Sequence, residues 1–412
     1  MKCSFGKVNI NPMLPAGLCG LNQKRTALEI FDDLYARVFL FQQDNKEIVW
    51  IQIDATEIDV LFVDLVAQVC HIKKENLLIS ATHTHNGPMG TIQVNEGKYK
   101  GMARMYGPLD FDYLNSIAEK IANCLDKLRQ ECTHAQIRIL KGTILGLATD
   151  RRDPKFNCDQ DVLVLEIKNE TKKSMIVRMS CHPSVLYTGP IGISADFCGY
   201  IEPHFEEYEC VAYVNGSCGN MSTRFTRKES SIKECQRLGL LCAETIQNIL
   251  KQGTCFEEFE MNLSQTSFFV DAYESDSYEN AYKEYQNAVE EYQQALKVNH
   301  PNLSLIQAKM DGADNQCLIA EVASRLSKVE VFVSCLKIND WTLIFTPCEL
   351  FSNLSDSLKE GQIEFIVYTN DILMYMPDRK AYEMNSYEAM TTIFKKGAGE
   401  DLMSQIKAYF LI

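Results

Sequence analysis

The stretch 47–85, EIVWIQIDATEIDVLFVDLVAQVCHIKKENLLISATHTH, decides the fold class. EIVWIQID (47–54) is rich in β-branched residues, IDVLFVDLVAQVCH (58–71) carries apolar residues at helical spacing, and NLLISATHTH (76–85) returns to a strand pattern. Strand, helix and strand in that order predict a βαβ unit, a parallel layer covered by helices, with ligands bound beyond the carboxyl ends of the strands. His83 and His85 fall at that end. Residues two apart on a strand share a face, so the imidazoles project together, as a metal site or as two surface histidines.

Working outward, the same pattern recurs. SMIVRMSCHPS (174–184) reaches His182, CVAYVNGSCGNMS (210–222) enters a glycine-rich turn with serines, TLIFTPCE (342–349) runs into Glu349, and IEFIVYTND (363–371) is another apolar strand with a polar exit. One pocket assembled from strand ends would account for them. VEVFVSCLKINDWTLIFT (329–346) reads as an antiparallel hairpin turning at Asn339–Asp340, so the sheets are mixed. Residues 273–327 read as two amphipathic helices broken at Asn299–Pro301, the first with Tyr278, Tyr282, Tyr285, Val289, Tyr292 and Leu296 on one face. The plain reading of this helical hairpin insertion is packing on the body; the sharper ones are an arm over the substrate or a contact between copies in a homo-oligomer.

Composition narrows the class. The chain has 412 residues, 46% hydrophobic and 23% charged, which is ordinary for a globular protein with a sizeable core. A formal charge of −14 argues against a nucleic-acid partner, which needs a basic surface. MKCSFGKVNINPMLP (1–15) lacks the apolar core of a signal peptide, and no segment approaches the ~20 apolar residues of a transmembrane span, so a cytoplasmic protein is expected. The sixteen cysteines are spread without Cys-x-x-Cys pairs and read as reduced core residues.

A catalytic zinc takes three protein ligands of His or carboxylate type and leaves a place for water. His83, His182 and Glu349 would supply that set. Alone, each has a plainer reading: a hydrogen-bonded histidine, or, for Glu349, a carboxylate at a helix start after Pro347. NGSCGNMS (215–222) is either a tight loop or a source of backbone N–H groups for an oxyanion, with a serine aimed into the site; it lacks the G-x-S-x-G spacing of a nucleophile elbow.

Together these pieces resemble the catalytic domain of the neutral, non-lysosomal ceramidase family. ATHTHNGPMG is similar to its Thr-His-Thr-His-Ser-Gly-Pro-Gly-Gly segment, RTALEIFDDLYARVFLF (25–41) to its early segment, LATDRRDPKF to an Asn-Arg-Ser-Pro motif, and CHPSVL with ISADFCGY to its second histidine region. GNMST resembles Gly-Asp-Val-Ser-Pro, with Asn220 for aspartate and Thr223 for proline, and TPCEL resembles Pro-Gly-Glu. The longest match, YMPDRKAYEMNSYEAMTTIF (375–394), keeps two tyrosines twelve residues apart.

The resemblance implies an α/β fold of mixed β-sheets in a layered α/β/β/α-type sandwich, residues 1–412 as a single catalytic domain without the family's C-terminal immunoglobulin-like domain, and one Zn2+ per chain. It implies His83, His182, Glu349 and Tyr375 as metal ligands and Ser222, His85, Tyr387 and Arg152 as catalytic residues. The expected reaction is zinc-dependent hydrolysis of an N-acyl amide, ceramide-like or other, with serine as nucleophile or as partner of the attacking water. The alternatives are a zinc amidohydrolase or esterase for an unrelated small substrate and a degenerate acyl-ligand-binding protein. An amidohydrolase barrel needs metal histidines after later strands, whereas His204 and His300 sit in helical or linker segments. A metallo-β-lactamase-like site needs His-x-His-x-Asp-His, which THTHNGP lacks.

Overall fold

The computed structural model describes residues 1–20, 25–43, 46–100, 102–253, 255–274, 278–323 and 325–411. Eight strands form the larger sheet: β1 (Lys2–Asn9), β2 (Tyr35–Gln43), β3 (Lys46–Ile53), β4 (Leu77–Ala81), β5 (Thr133–Thr143), β6 (Asp161–Asn169), β7 (Lys173–Met179) and β8 (Val211–Asn215). Their order is β8-β7-β6-β5-β1-β2-β3-β4. The opening stretch forms the expected βαβ unit: β3 pairs parallel with β4 through helix α1 (Val60–Val69), whose first turn is capped by the Asp59 carboxylate accepting from Phe62 N–H. Parallel pairing recurs between β7 and β8, while the remaining neighbours run antiparallel, so the sheet is mixed.

A second sheet of four strands lies over the first, in the order β9 (Met261–Asp271), β10 (Lys328–Ile338), β11 (Trp341–Phe345) and β12 (Ile363–Ile366). Apolar side chains of both sheets interlock between them, among them Phe39, Phe41, Trp50 and Leu165 from the large sheet and Leu336, Phe345 and Ile366 from the small one. Alternate residues of the same strands, such as Val38, Leu40, Val49 and Ile51, enter the core on the other face. EIVWIQID is therefore apolar along its length because both its faces are covered. Helices α2 (Phe111–Glu131) and α3 (Ile232–Leu250) pack on the outer face of the large sheet and α6 (Ala398–Phe410) on β9, completing an α/β/β/α sandwich.

The hairpin helices are α4 (Tyr278–Lys297) and α5 (Leu303–Ala323); residues 275–277 and 324 of the expected 273–327 span lie outside the described residues. The tyrosine stripe is not the buried seam. Ala281, Ala288 and Ala295, seven apart, are buried, and Ala281 meets Cys317 and Ala320 of α5, whereas Tyr278, Tyr282 and Leu296 are exposed. Small side chains let the two helices approach closely, and the larger ones flank the contact. The hairpin joins the body where α5 packs on the short helix Tyr387–Met390.

The inter-sheet layer fixes the strand ends relative to one another, and its tightest aromatic contact is Trp50 edge-on to Phe345, centroids 5.1 Å apart. Phe345→Ala should destabilise the protein by about 3–5 kcal/mol, read as a lowered urea midpoint with an unchanged slope.

Candidate metal centre

Beyond Ala81 the chain leaves β4, and His83 takes a left-handed backbone conformation with φ +66°. The alternation of an extended strand therefore does not apply to His83 and His85, and loop geometry converges them instead. His83 N–H donates to Ala55 O at 2.9 Å and its Nδ1 lies 2.9 Å from Thr56 O, both in the loop that follows β3. Tyr368, also left-handed at φ +56°, stacks flat on the imidazole with centroids 4.0 Å apart. Such conformations cost of order 1–3 kcal/mol each and persist where surrounding contacts over-determine them.

His182 follows β7 and is held the same way, its Nδ1 2.9 Å from Cys218 O in the glycine-rich turn. Glu349 and Tyr375 arrive together because Cys348–Leu350 pairs parallel with Leu373–Met376, which sets the two residues opposite each other. Glu349 Oε2 lies 3.0 Å from His182 Nε2 and 3.5 Å from His83 Nε2, and Tyr375 Oη lies 3.4 Å from His182 Nε2. His85 Nε2 is 3.2 Å from His83 Nε2. All five residues are buried.

These groups fit a zinc ion. With Nδ1–H of His83 and His182 donating to carbonyl oxygens, both Nε2 atoms carry lone pairs, and the Glu349 carboxylate adds another acceptor. Acceptors this close repel unless a proton or a cation lies among them. Donor atoms at zinc distances in a tetrahedral set are roughly 3.3 Å apart, the spacing present here. Holding Nδ1 on a carbonyl also fixes the tautomer a metal-binding histidine requires. His85 lacks that restraint: its buried Nδ1 has no hydrogen-bond partner among the described residues and faces Gly20, where any Cβ would come within 2.7 Å.

Electrostatics follow from burial. Desolvation, then Arg151, pulls the His182 imidazole down to about 4 despite Glu349, and desolvation with His83 and His182 nearby holds His85 well below the ordinary histidine value. Burial would raise Glu349, but its contacts with His182 and His83 hold it below the usual carboxylate range. Glu57 moves the opposite way, raised by desolvation and by the Glu349 and Asp371 carboxylates. The sequence reading missed Glu57, which groups with His83 and Glu349. It sits just past the end of β3, the position that singled out the histidines.

The expected arginine, Arg152, and its neighbour Arg151 face different surroundings. Arg152 turns to Asp150, whose Oδ2 lies 2.6 Å away, with Asp378 at 3.6 Å and the Phe351 ring below. Arg151 instead lies over the Tyr375 and Tyr387 rings, 4.8 and 5.7 Å from their centroids, and pairs with Glu388 at 2.5 Å. Thr149–Asp150 pairs with Met221–Ser222, and successive residues of extended chain face opposite ways, so a one-residue offset exchanges the two arginines. Asn220, standing where the resembling motif has aspartate, donates to Asp150 Oδ2 at 2.9 Å, where a second carboxylate would repel.

Ser222 adjoins His182 through a backbone bridge, and its hydroxyl accepts from Arg224 N–H at 3.3 Å. No histidine or carboxylate hydrogen-bonds to it among the described residues. The N–H groups of Gly216, Gly219 and Met221 bond to the carbonyl oxygens of Met179, Leu350 and Cys218. Gly219 serves close approach: a Cβ there would lie 2.2 Å from Glu349 O. Tyr387 stands 5.8 Å from Tyr375, and its hydroxyl accepts from Asn315 of α5 at 3.3 Å, making the hairpin a wall of the site.

Fold and sequence together place the chain in a class of hydrolases acting on amide bonds. Residues 12–319 match the family described as neutral/alkaline non-lysosomal ceramidase, N-terminal, and the chain belongs to that family. Among solved structures, a neutral ceramidase from Pseudomonas aeruginosa is similar in fold with a TM-score of 0.71 at 15% identity, covering 98% of this chain and 73% of the other. A ceramidase complexed with C2 gives a TM-score of 0.71 at 14% identity with the same coverage. No curated protein matches the sequence. No helix among the described residues is long and apolar enough to cross a membrane.

The depressed His182 value has a sign that can be measured on metal-free protein. The unfolded imidazole takes a proton near pH 6.5 and the folded one only near 4, so this stability is present above 6.5 and lost as pH falls. Urea unfolding free energies should drop between pH 6.5 and 4, with roughly 3 kcal/mol from this residue. His182→Gln should remove that share; an unchanged slope would contradict the assignment.

Proposed function

We propose that the protein is a zinc-dependent hydrolase that cleaves an N-acyl amide bond, ceramide-like or of another N-acyl compound. The observation that carries this reading is the convergence of His83 Nε2, His182 Nε2, the Glu349 carboxylate and the Tyr375 hydroxyl, with both Nδ1 atoms held on backbone carbonyls. These four residues would hold the ion. A zinc bound there supplies a water of pKa near 7 and a Lewis acid for the carbonyl oxygen.

The remaining chemistry belongs to side chains. Tyr387 keeps its proton, because burial pushes its phenol up, and His85 stays neutral with one ring N–H. Both can donate to the amide oxygen as charge develops on it, a contribution of about 10²–10³ in rate for one such donor. Arg151, charged and ion-paired with Glu388, adds a fixed positive field over Tyr375 and takes the role the sequence assigned to Arg152. With no base touching Ser222, its hydroxyl is read as a hydrogen-bonding partner of the attacking water rather than as a nucleophile.

Metal analysis should find about one zinc per chain. His83→Ala should lose both metal and turnover on a panel running from ceramides to short-chain N-acyl amino compounds. His85→Ala should keep the metal and lose about 10²–10³ in kcat. Zinc-independent hydrolysis would sink the mechanism, and tight binding of panel members without turnover would point to an acyl-ligand-binding protein.

Three further variants separate the arginines and the serine. Arg151→Gln should lower kcat by at least about tenfold, while Arg152→Gln acts on stability. Ser222→Ala should retain measurable turnover; mass spectrometric trapping of an acyl group on Ser222 in the wild type would refute the water mechanism.

A further inference from the structure

The loops that frame the candidate centre carry three arginines with no part in the proposed chemistry. Arg25, buried, donates to His85 O at 3.5 Å and to Leu186 O at 3.3 Å. Arg227, half-buried, donates to Ser184 O at 2.9 Å. Arg224, exposed, donates to Arg151 O at 3.1 Å. Each is thus tied to the backbone beside a residue of the site: His85 itself, the turn after His182, or the segment of Arg151 next to Ser222. Around Tyr187 the fields of Arg25, Arg151 and Arg224 coincide, and Tyr187 in turn acts on Arg25, Arg224 and Arg227.

What distinguishes these cations is the absence of a direct ion pair. Among the described residues none of the three has a carboxylate within salt-bridge distance, in a chain with 55 acidic against 41 basic residues. The nearby acids are otherwise placed. Glu388 takes Arg151, Asp196 accepts from the N–H groups of Leu186 and Phe197, and Asp311 on α5 acts on Tyr187 without pairing with an arginine. A guanidinium has five donors, and the contacts here are one or two carbonyl oxygens each. Burial lowers all three from the ordinary arginine value and Arg151 lowers Arg224 further, while the fields of Asp196 on Arg227 and of Glu388 on Arg224 offset this only in part. Arg151 Nη2 is likewise buried and unbonded among the described residues.

We propose that Arg25, Arg224 and Arg227 form an anion subsite, and that the substrate is an N-acylated amine carrying a carboxylate or phosphate close to the amide rather than a neutral ceramide. The substrate class rests on the amide-hydrolase reading above; the anion subsite does not. An oxyanion has the charge and acceptor geometry the three side chains lack, and its amide would lie toward His85, whose carbonyl Arg25 holds.

Four probes test this: an N-acylglycine and its methyl ester, and an N-acylethanolamine phosphate and its neutral alcohol, all of one chain length. Calorimetric titration of the zinc-loaded protein should show each anion binding at least about tenfold more tightly than its neutral counterpart. The ratio should collapse toward one in Arg224→Gln/Arg227→Gln and persist in Arg224→Lys/Arg227→Lys. Circular dichroism verifies that both double variants fold, and the Lys pair separates loss of charge from loss of structure. Whichever anion binds more tightly identifies carboxylate or phosphate. Equal binding of charged and neutral probes, binding of none, or a ratio indifferent to the double Gln substitution would overturn the subsite. Turnover is read separately: undiscriminating hydrolysis of all four leaves the amidase standing without the subsite, and charge-selective binding with no hydrolysis of any probe leaves the subsite without the amidase.

Discussion

The site depends on two backbone carbonyl oxygens, those of Thr56 and Cys218. Each accepts from the Nδ1 of one histidine and so turns that ring's lone pair toward the shared centre. Neither carbonyl belongs to a residue with chemistry of its own. Thr56 sits in the loop after β3 and Cys218 in the turn after β8, and the two strands belong to one large sheet whose packing against the small sheet sets their ends in place. Precision at the centre is thus inherited from strand register.

A second layer of charge supports the same turn. Arg178 of β7 is buried and paired with Asp159, with Glu364 at 3.6 Å, and Lys359 joins Asp159 at 2.8 Å and Glu364 at 3.4 Å. The backbone of Gly216 lies directly on this guanidinium, so close that a Cβ would stand 2.3 Å from it. Removing one member of such a network strands a buried charge. The network ties the loop that carries Cys218 to strands of both sheets.

What could be read in advance was whatever local periodicity encodes. The βαβ unit, the hairpin at Asn339–Asp340, the helix break before Pro301 and the strand ends carrying His83, His182 and Glu349 all follow from patterns a few residues long. Features that depend on partners distant in sequence were less legible. Arg151 and Arg152 are adjacent, and only the pairing of residues 149–150 with 221–222 decides which faces the tyrosines. His83 was read as part of an extended strand, and nothing local signals its left-handed backbone. The tyrosines of α4 form a regular stripe, yet the alanines beside them make the seam, because the distance between the helices is set by the smallest residues in contact.

The spacing of the proposed ligands bears on how the molecule matures. His182 and Glu349 stand 167 residues apart, and His182 and Tyr375 stand 193 apart. Loops of that length close slowly, and contacts across them form only after much of the chain has been organised. The centre therefore requires the strand bearing Tyr375 to dock beside the one bearing Glu349. An ion captured at that moment would bridge segments from early, middle and late in the chain, and would act as a latch on a finished fold rather than as a seed for it.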